Sequence, residues 1–73
     1  MTPLTQLVET VVNISGRPLT LSEVLSEARA WSPTLAEDPQ AVADVASSSR
    51  AIRRQTVRVF GQKLRVFAAA LPK

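Results

Sequence analysis

Apolar residues recur at helical spacing near the start of the chain. Leu4, Leu7, Val8, Val11 and Val12 follow at the spacing of one helix, with Ile14 as a further candidate. Thr2 and Pro3 form an N-cap followed by a proline at the first helical position, where its missing N–H is harmless. Asn13–Gly16 and then Pro18 end the pattern, which predicts a helix over residues 3–14. Thr20-Leu21-Ser22-Glu23 reads as a capping box, with Leu19 and Val24 placed to close a hydrophobic staple across it. Leu21, Val24, Leu25, Ala28 and Trp31 then share a side, predicting a second helix over 21–31 with Trp31 in the core or, as the alternative, exposed to anchor a partner. Residues 32–39 hold two prolines and form a loop. Asp38-Pro39 is another cap-plus-proline start, and Gln40 to Ala46 make a short helix that buries Val42, Val45 and Ala46. Ser47, Ser48 and Ser49 interrupt it. Any of them can cap a further helix opening Arg50-Ala51-Ile52-Arg53-Arg54.

Residues 55–70 satisfy two patterns. As strands, 56–60 and 63–67 flank Gly61-Gln62, a pair suited to a two-residue turn with glycine first. Val57 then faces Val66, Val59 faces Leu64, and Arg58 faces Arg65, with Phe60 and Phe67 on the arginine side. As a helix, Ile52, Thr56, Val59, Phe60, Leu64, Phe67 and Leu71 form a stripe. That stripe also takes in Arg53 and Lys63, and Gly61 inside it costs roughly 1 kcal/mol. The Val, Thr and Phe content favours the hairpin.

With 73 residues, 45% of them apolar, the chain is expected to form a single domain over 1–73. A domain of this size buries only about 60% of its unfolded surface, so its stability margin is thin. It contains no Cys and no His, which excludes disulfides, thiolate or imidazole chemistry and the common zinc sites. There is no phosphate-binding glycine loop, since Gly16 and Gly61 are the only glycines. Glu23 and Asp38 are explained as caps, and Glu23 with Glu27 as a solvated helix face. No enzyme activity, metal or cofactor is expected. The charge, +3 overall, is unevenly distributed. Arg17 and Arg29 stand among Glu9, Glu23, Glu27, Glu37, Asp38 and Asp44. Arg50, Arg53, Arg54, Arg58, Lys63, Arg65 and Lys73 follow with no acid between them. A cationic end of this kind attracts polyanions and orients their approach. The start of the chain lacks a leader-type apolar run, and the longest apolar stretch, 67–71, is far too short to span a bilayer. A cytoplasmic location and no membrane role are expected.

Gly-Arg-Pro-Leu-Thr-Leu-Ser-Glu-Val-Leu-Ser-Glu-Ala (16–28), Ser-Ser-Ser-Arg-Ala-Ile-Arg-Arg-Gln-Thr-Val (47–57) and Val-Arg-Val-Phe-Gly-Gln-Lys-Leu-Arg-Val-Phe (57–67) follow one another in order. Together they resemble the second helix, the turn plus recognition helix, and the wing of a winged helix-turn-helix DNA-binding domain. The resemblance lies in element order and charge. It implies a mainly α fold with a small β-hairpin, built from three to four short helices and a C-terminal two-stranded wing. An all-α helix-turn-helix domain, reading DNA with residues 50–60, is the alternative. Either version implies a sequence-specific or architectural protein, such as a transcriptional regulator or an excisionase-like factor, that binds double-stranded DNA. The contacting residues would be Ser48, Ser49, Arg50, Arg53, Arg54, Gln55, Arg58, Lys63 and Arg65. Six basic side chains on phosphates would give a salt slope near −5, by the usual ~0.9 per contact. A homodimer through Leu4, Leu7, Val8 and Val11 would add contact area. The competing function is a small phage- or plasmid-type interaction protein that modulates a host protein through the same basic face or through the loop from Trp31 to Leu35.

Overall fold

The computed structural model describes residues 2–70. Its helices begin where local side chains can satisfy their free N–H groups. Helix α1 (Pro3–Ser15) starts at Thr2, whose hydroxyl accepts from the Thr5 N–H at 3.1 Å, and ends at Gly16 with φ 67°. Helix α2 (Leu21–Trp31) opens on the expected capping box. The Glu23 N–H donates to the Thr20 hydroxyl at 3.2 Å, and the Thr20 N–H donates to the Glu23 carboxylate at 2.9 Å. Helix α3 (Pro39–Ser48) opens at Asp38, which accepts from the Gln40 N–H at 3.0 Å. Between α2 and α3 the loop is pinned by Arg29, which donates to the Ala36 and Glu37 carbonyls at 3.0 and 3.1 Å. That holds Ala36 fully buried beneath the loop.

Three antiparallel strands complete the fold: β1 (Leu19–Thr20), β2 (Ile52–Val59) and β3 (Gln62–Ala69), in the order β1-β3-β2. Val8, Val11, Val12, Leu19, Val24, Ala28, Val42, Ala46, Ile52 and Phe67 form one core. The helices therefore cover the face of the sheet that carries Ile52, Phe67 and Ala69, and only at its base.

Several expectations are corrected here. The architecture is mixed α/β, three helices with a three-stranded sheet, rather than mainly α with a hairpin. No helix follows Ser49. Arg50 and Ala51 turn, and Ile52 begins a strand that carries Arg53, Arg54 and Gln55. The serines do not cap a new helix because α3 absorbs two of them: Ser48 is its last residue and donates its hydroxyl to the Asp44 carbonyl at 2.7 Å. Pairing of Ile52, Arg53 and Arg54 with Ala69, Ala68 and Phe67 of β3 holds this stretch extended instead. The same strand excludes the all-α alternative. Leu7, Val8 and Val11, expected on a dimer surface, are buried in the core. Trp31 is 58% exposed, since it ends α2 where the chain turns away at Ser32. Strand β1 had no signal in its two residues; pairing with Val66 and Phe67 creates it.

The hairpin forms in a different register. Val57 pairs with Leu64, Arg58 with Lys63 and Val59 with Gln62, so the turn is Phe60-Gly61. Both central residues have positive φ, 51° and 80°. This is the sign pattern of a type I′ turn, which matches the twist of the flanking strands. The shift by two residues leaves each side chain on its expected face and sets Ile52 beside Ala69 at the buried base. Leu71, Pro72 and Lys73, which would continue the tail after Ala70, lie outside the described residues. Among the described residues no helix is long and apolar enough to cross a membrane.

Candidate functional site

Beyond the core the hairpin continues as a two-stranded arm, and the alternation of side chains gives it two unlike faces. One face continues outward from Ile52 and Phe67 and carries Arg54, Thr56, Arg58, Lys63 and Arg65, all exposed. The other carries Arg53, Gln55 and Gln62 with the half-exposed apolar residues Val57, Val59 and Leu64.

The basic face is electrostatically unbalanced. Arg58 sits directly across from Lys63, a repulsive cross-strand pair, and Arg65 lies two pairs further in on the same face, opposite Thr56. Among the described residues the sole ion pair is Arg17–Glu23, at 3.4 Å on the other side of the sequence split. Arg50, Arg53, Arg58, Lys63 and Arg65 make no side-chain hydrogen bond to any described residue. Arg54 is partly committed. Its Nη1 donates to the Ala46 and Ser49 carbonyls, each at 3.1 Å, and so satisfies the end of α3. A shallow concavity of about 300 Å³ between that helix end and the hairpin is lined by Ser47, Arg54, Gln55, Thr56 and Arg65.

The remaining expected contacts are scattered. Ser48 uses its hydroxyl on Asp44, and Ser49 is buried, donating to the Glu9 carboxylate and accepting from the Ala51 N–H at 3.2 Å. Both serines therefore complete the joint between α3 and β2. Arg50 stands in the turn, and Arg53 points from the face opposite Arg54. Helix α3 adds no cation: Gln40, Asp44, Ser47 and Ser48 make up much of its exposed surface. Among the described residues no group of three acids is placed to hold a metal ion.

Sequence reasoning gave Phe60 a place in a strand, where it would share the arginine face. In the structure it stands at the tip of the arm, fully exposed, with φ 51°. A left-handed conformation costs an ordinary residue roughly 1–2 kcal/mol, and turn positions of this kind favour Asn, Asp or Gly. The signal available in the sequence was Phe-Gly in the place where Asn-Gly would be the usual choice.

No family model matches this chain, and no curated protein and no solved structure matches it either.

Proposed function

We propose that this chain is a small DNA-binding protein, a transcriptional regulator or excisionase-like factor, that grips duplex DNA with the basic face of its hairpin. One observation carries the reading: Arg54, Arg58, Lys63 and Arg65 share an exposed face with no carboxylate among them. A strand pair that holds like charges against each other is destabilised when alone and relieved by a polyanion. The resemblance to winged helix-turn-helix domains supports the reading in altered form. Helices α2 and α3 would take the place of the helix pair and β2–β3 that of the wing. Because α3 carries Asp44 and no Lys or Arg, the proposal assigns affinity to the wing and not to a basic recognition helix.

The arrangement revises the expected salt dependence. Four cations on one face give a slope of about −3.6 in log affinity against log salt, in place of the −5 expected for six. Fluorescence anisotropy with a short duplex at two salt concentrations measures it. Replacing Arg58 and Arg65 together with Ala is expected to weaken binding and flatten the slope by about 2, whereas Arg29→Ala leaves the slope unchanged. A wild-type protein that ignores duplex DNA at low salt would refute the proposal.

The second reading, a protein partner, is favoured by one feature of the arm: Val57, Val59 and Leu64 form an apolar strip on the face opposite Arg54, Arg58, Lys63 and Arg65. A stoichiometric protein complex that is lost on Val59→Lys, without retention on DNA, would favour it.

A further inference from the structure

Phe60 combines two features that folding does not explain. Its side chain is wholly exposed and touches none of the core, and its backbone holds a positive φ that an aromatic residue rarely adopts. Gly61 already supplies one of the two positive φ values, and Asn or Gly in place of Phe60 would supply the other with less strain. Strain of this sort persists where the surrounding structure imposes it, and it gathers at functional positions.

The surroundings of the ring indicate what it meets. The Arg58–Lys63 pair lies two positions behind the tip, separated from it only by Val59 and Gln62. Four residue pairs, from Thr56–Arg65 to Val59–Gln62, extend beyond the buried base. At ~3.4 Å per residue they make an arm about 13 Å long, and its two strands are only ~5 Å apart. An undistorted minor groove, ~6 Å wide and ~7.5 Å deep, is narrower than a two-stranded ribbon with its backbone atoms, so the tip enters only where the duplex is kinked and the groove opened, with the cations behind it against the bordering phosphates. Apolar side chains that enter from this groove act as wedges between base pairs.

We infer that Phe60 is such a wedge. The hairpin tip enters the minor groove, and the ring inserts between two adjacent base pairs, partly unstacking them. The inference rests on the DNA-binding reading above and adds a site and a mode of deformation to it. Pyrimidine–purine steps such as TA unstack most readily and are the preferred targets.

The experiment uses the full chain and duplexes carrying 2-aminopurine beside a central TA step, with anisotropy in parallel. Wild type is expected to bind and to raise the 2-aminopurine fluorescence. Phe60→Asn is expected to raise Tm by a few degrees, to bind roughly 10-fold more weakly with an unchanged salt slope, and to leave the fluorescence at its free-duplex level. Phe60→Leu, which keeps an apolar wedge, retains part of the fluorescence signal. If wild type binds with the expected salt slope but neither it nor Phe60→Asn alters the fluorescence, the wedge is overturned and the DNA grip stands. A Tm lowered by Phe60→Asn also overturns it, because the ring would then serve the fold. Failure of wild type to bind duplex DNA overturns the wedge together with the reading beneath it.

Discussion

Arg54 shows how one guanidinium can serve both fold and surface. Its two hydrogen bonds to the Ala46 and Ser49 carbonyls tie the end of α3 to β2, while its remaining N–H groups stay exposed in the basic row. Arg54→Ala is expected to lower stability by about 1.5 kcal/mol, the low end for charge-assisted bonds because the site is only part-buried, and urea unfolding measures it. Arg58 has no such tie, so Arg58→Ala is expected to leave the urea midpoint unchanged or slightly raised. Glu23 supplies a pH dependence. Its carboxyl is held below the ordinary glutamate range by the donated Thr20 N–H first and by the Arg17 guanidinium as well, with partial burial opposing both. A carboxylate lowered in the folded state stabilises it fully above the unfolded pKa of about 4.3, and that contribution is lost as pH falls through the lower folded value. Glu23→Gln should therefore lower Tm at pH 7, and the difference from wild type should shrink toward zero on acidification below about pH 4.

At the level of the element, the hairpin is where stability and the proposed binding pull apart. The facing cations Arg58 and Lys63 disfavour the arm in free protein, and converting the pair to opposite charge removes that penalty. Arg58→Glu is expected to stabilise the domain by a few tenths of a kcal/mol, and to weaken duplex binding at low salt while flattening the salt slope. Thermal unfolding and anisotropy on one preparation test both halves. A variant that lost stability would mean that Arg58 has a structural partner. The strands themselves were legible from Val57, Val59, Val66 and the neighbouring Gly61. Their register was not, because a two-residue slip keeps every side chain on the same face, and glycine is acceptable at either central turn position.

For the whole molecule the margin is narrow. Stability of 0.05–0.15 kcal/mol per residue amounts to about 4–11 kcal/mol for a chain of this length. The core that supplies it is built mainly from Val, Ala and Leu, with Ile52 and Phe67 as the sheet's main contribution. Ile52 joins the sheet to the helices at the foot of the arm, so Ile52→Ala is expected to cost about 2–4 kcal/mol, a large part of the total, as read from urea unfolding. The charge division acts on the same scale. Acids stand on the helices and the loop before α3, and cations on the arm, so the field of the whole protein presents the hairpin first to a polyanion.

The residues by themselves determined the three helix starts, the presence of a hairpin and the concentration of cations near its end. Each of these depends on neighbours a few positions apart: Thr20 reaches Glu23, Asp38 reaches Gln40, and a turn joins adjacent strands. Tertiary structure alone decided that Ile52, Arg53 and Arg54 extend rather than coil, that Leu19 and Thr20 join the sheet, and that Trp31 is left outside. It also decided which cations share a face and set Phe60 at the tip. Those outcomes follow from burial and strand pairing between distant segments, as where Leu19 meets Phe67 and Ser49 meets Glu9, and local propensity carries no record of such partners.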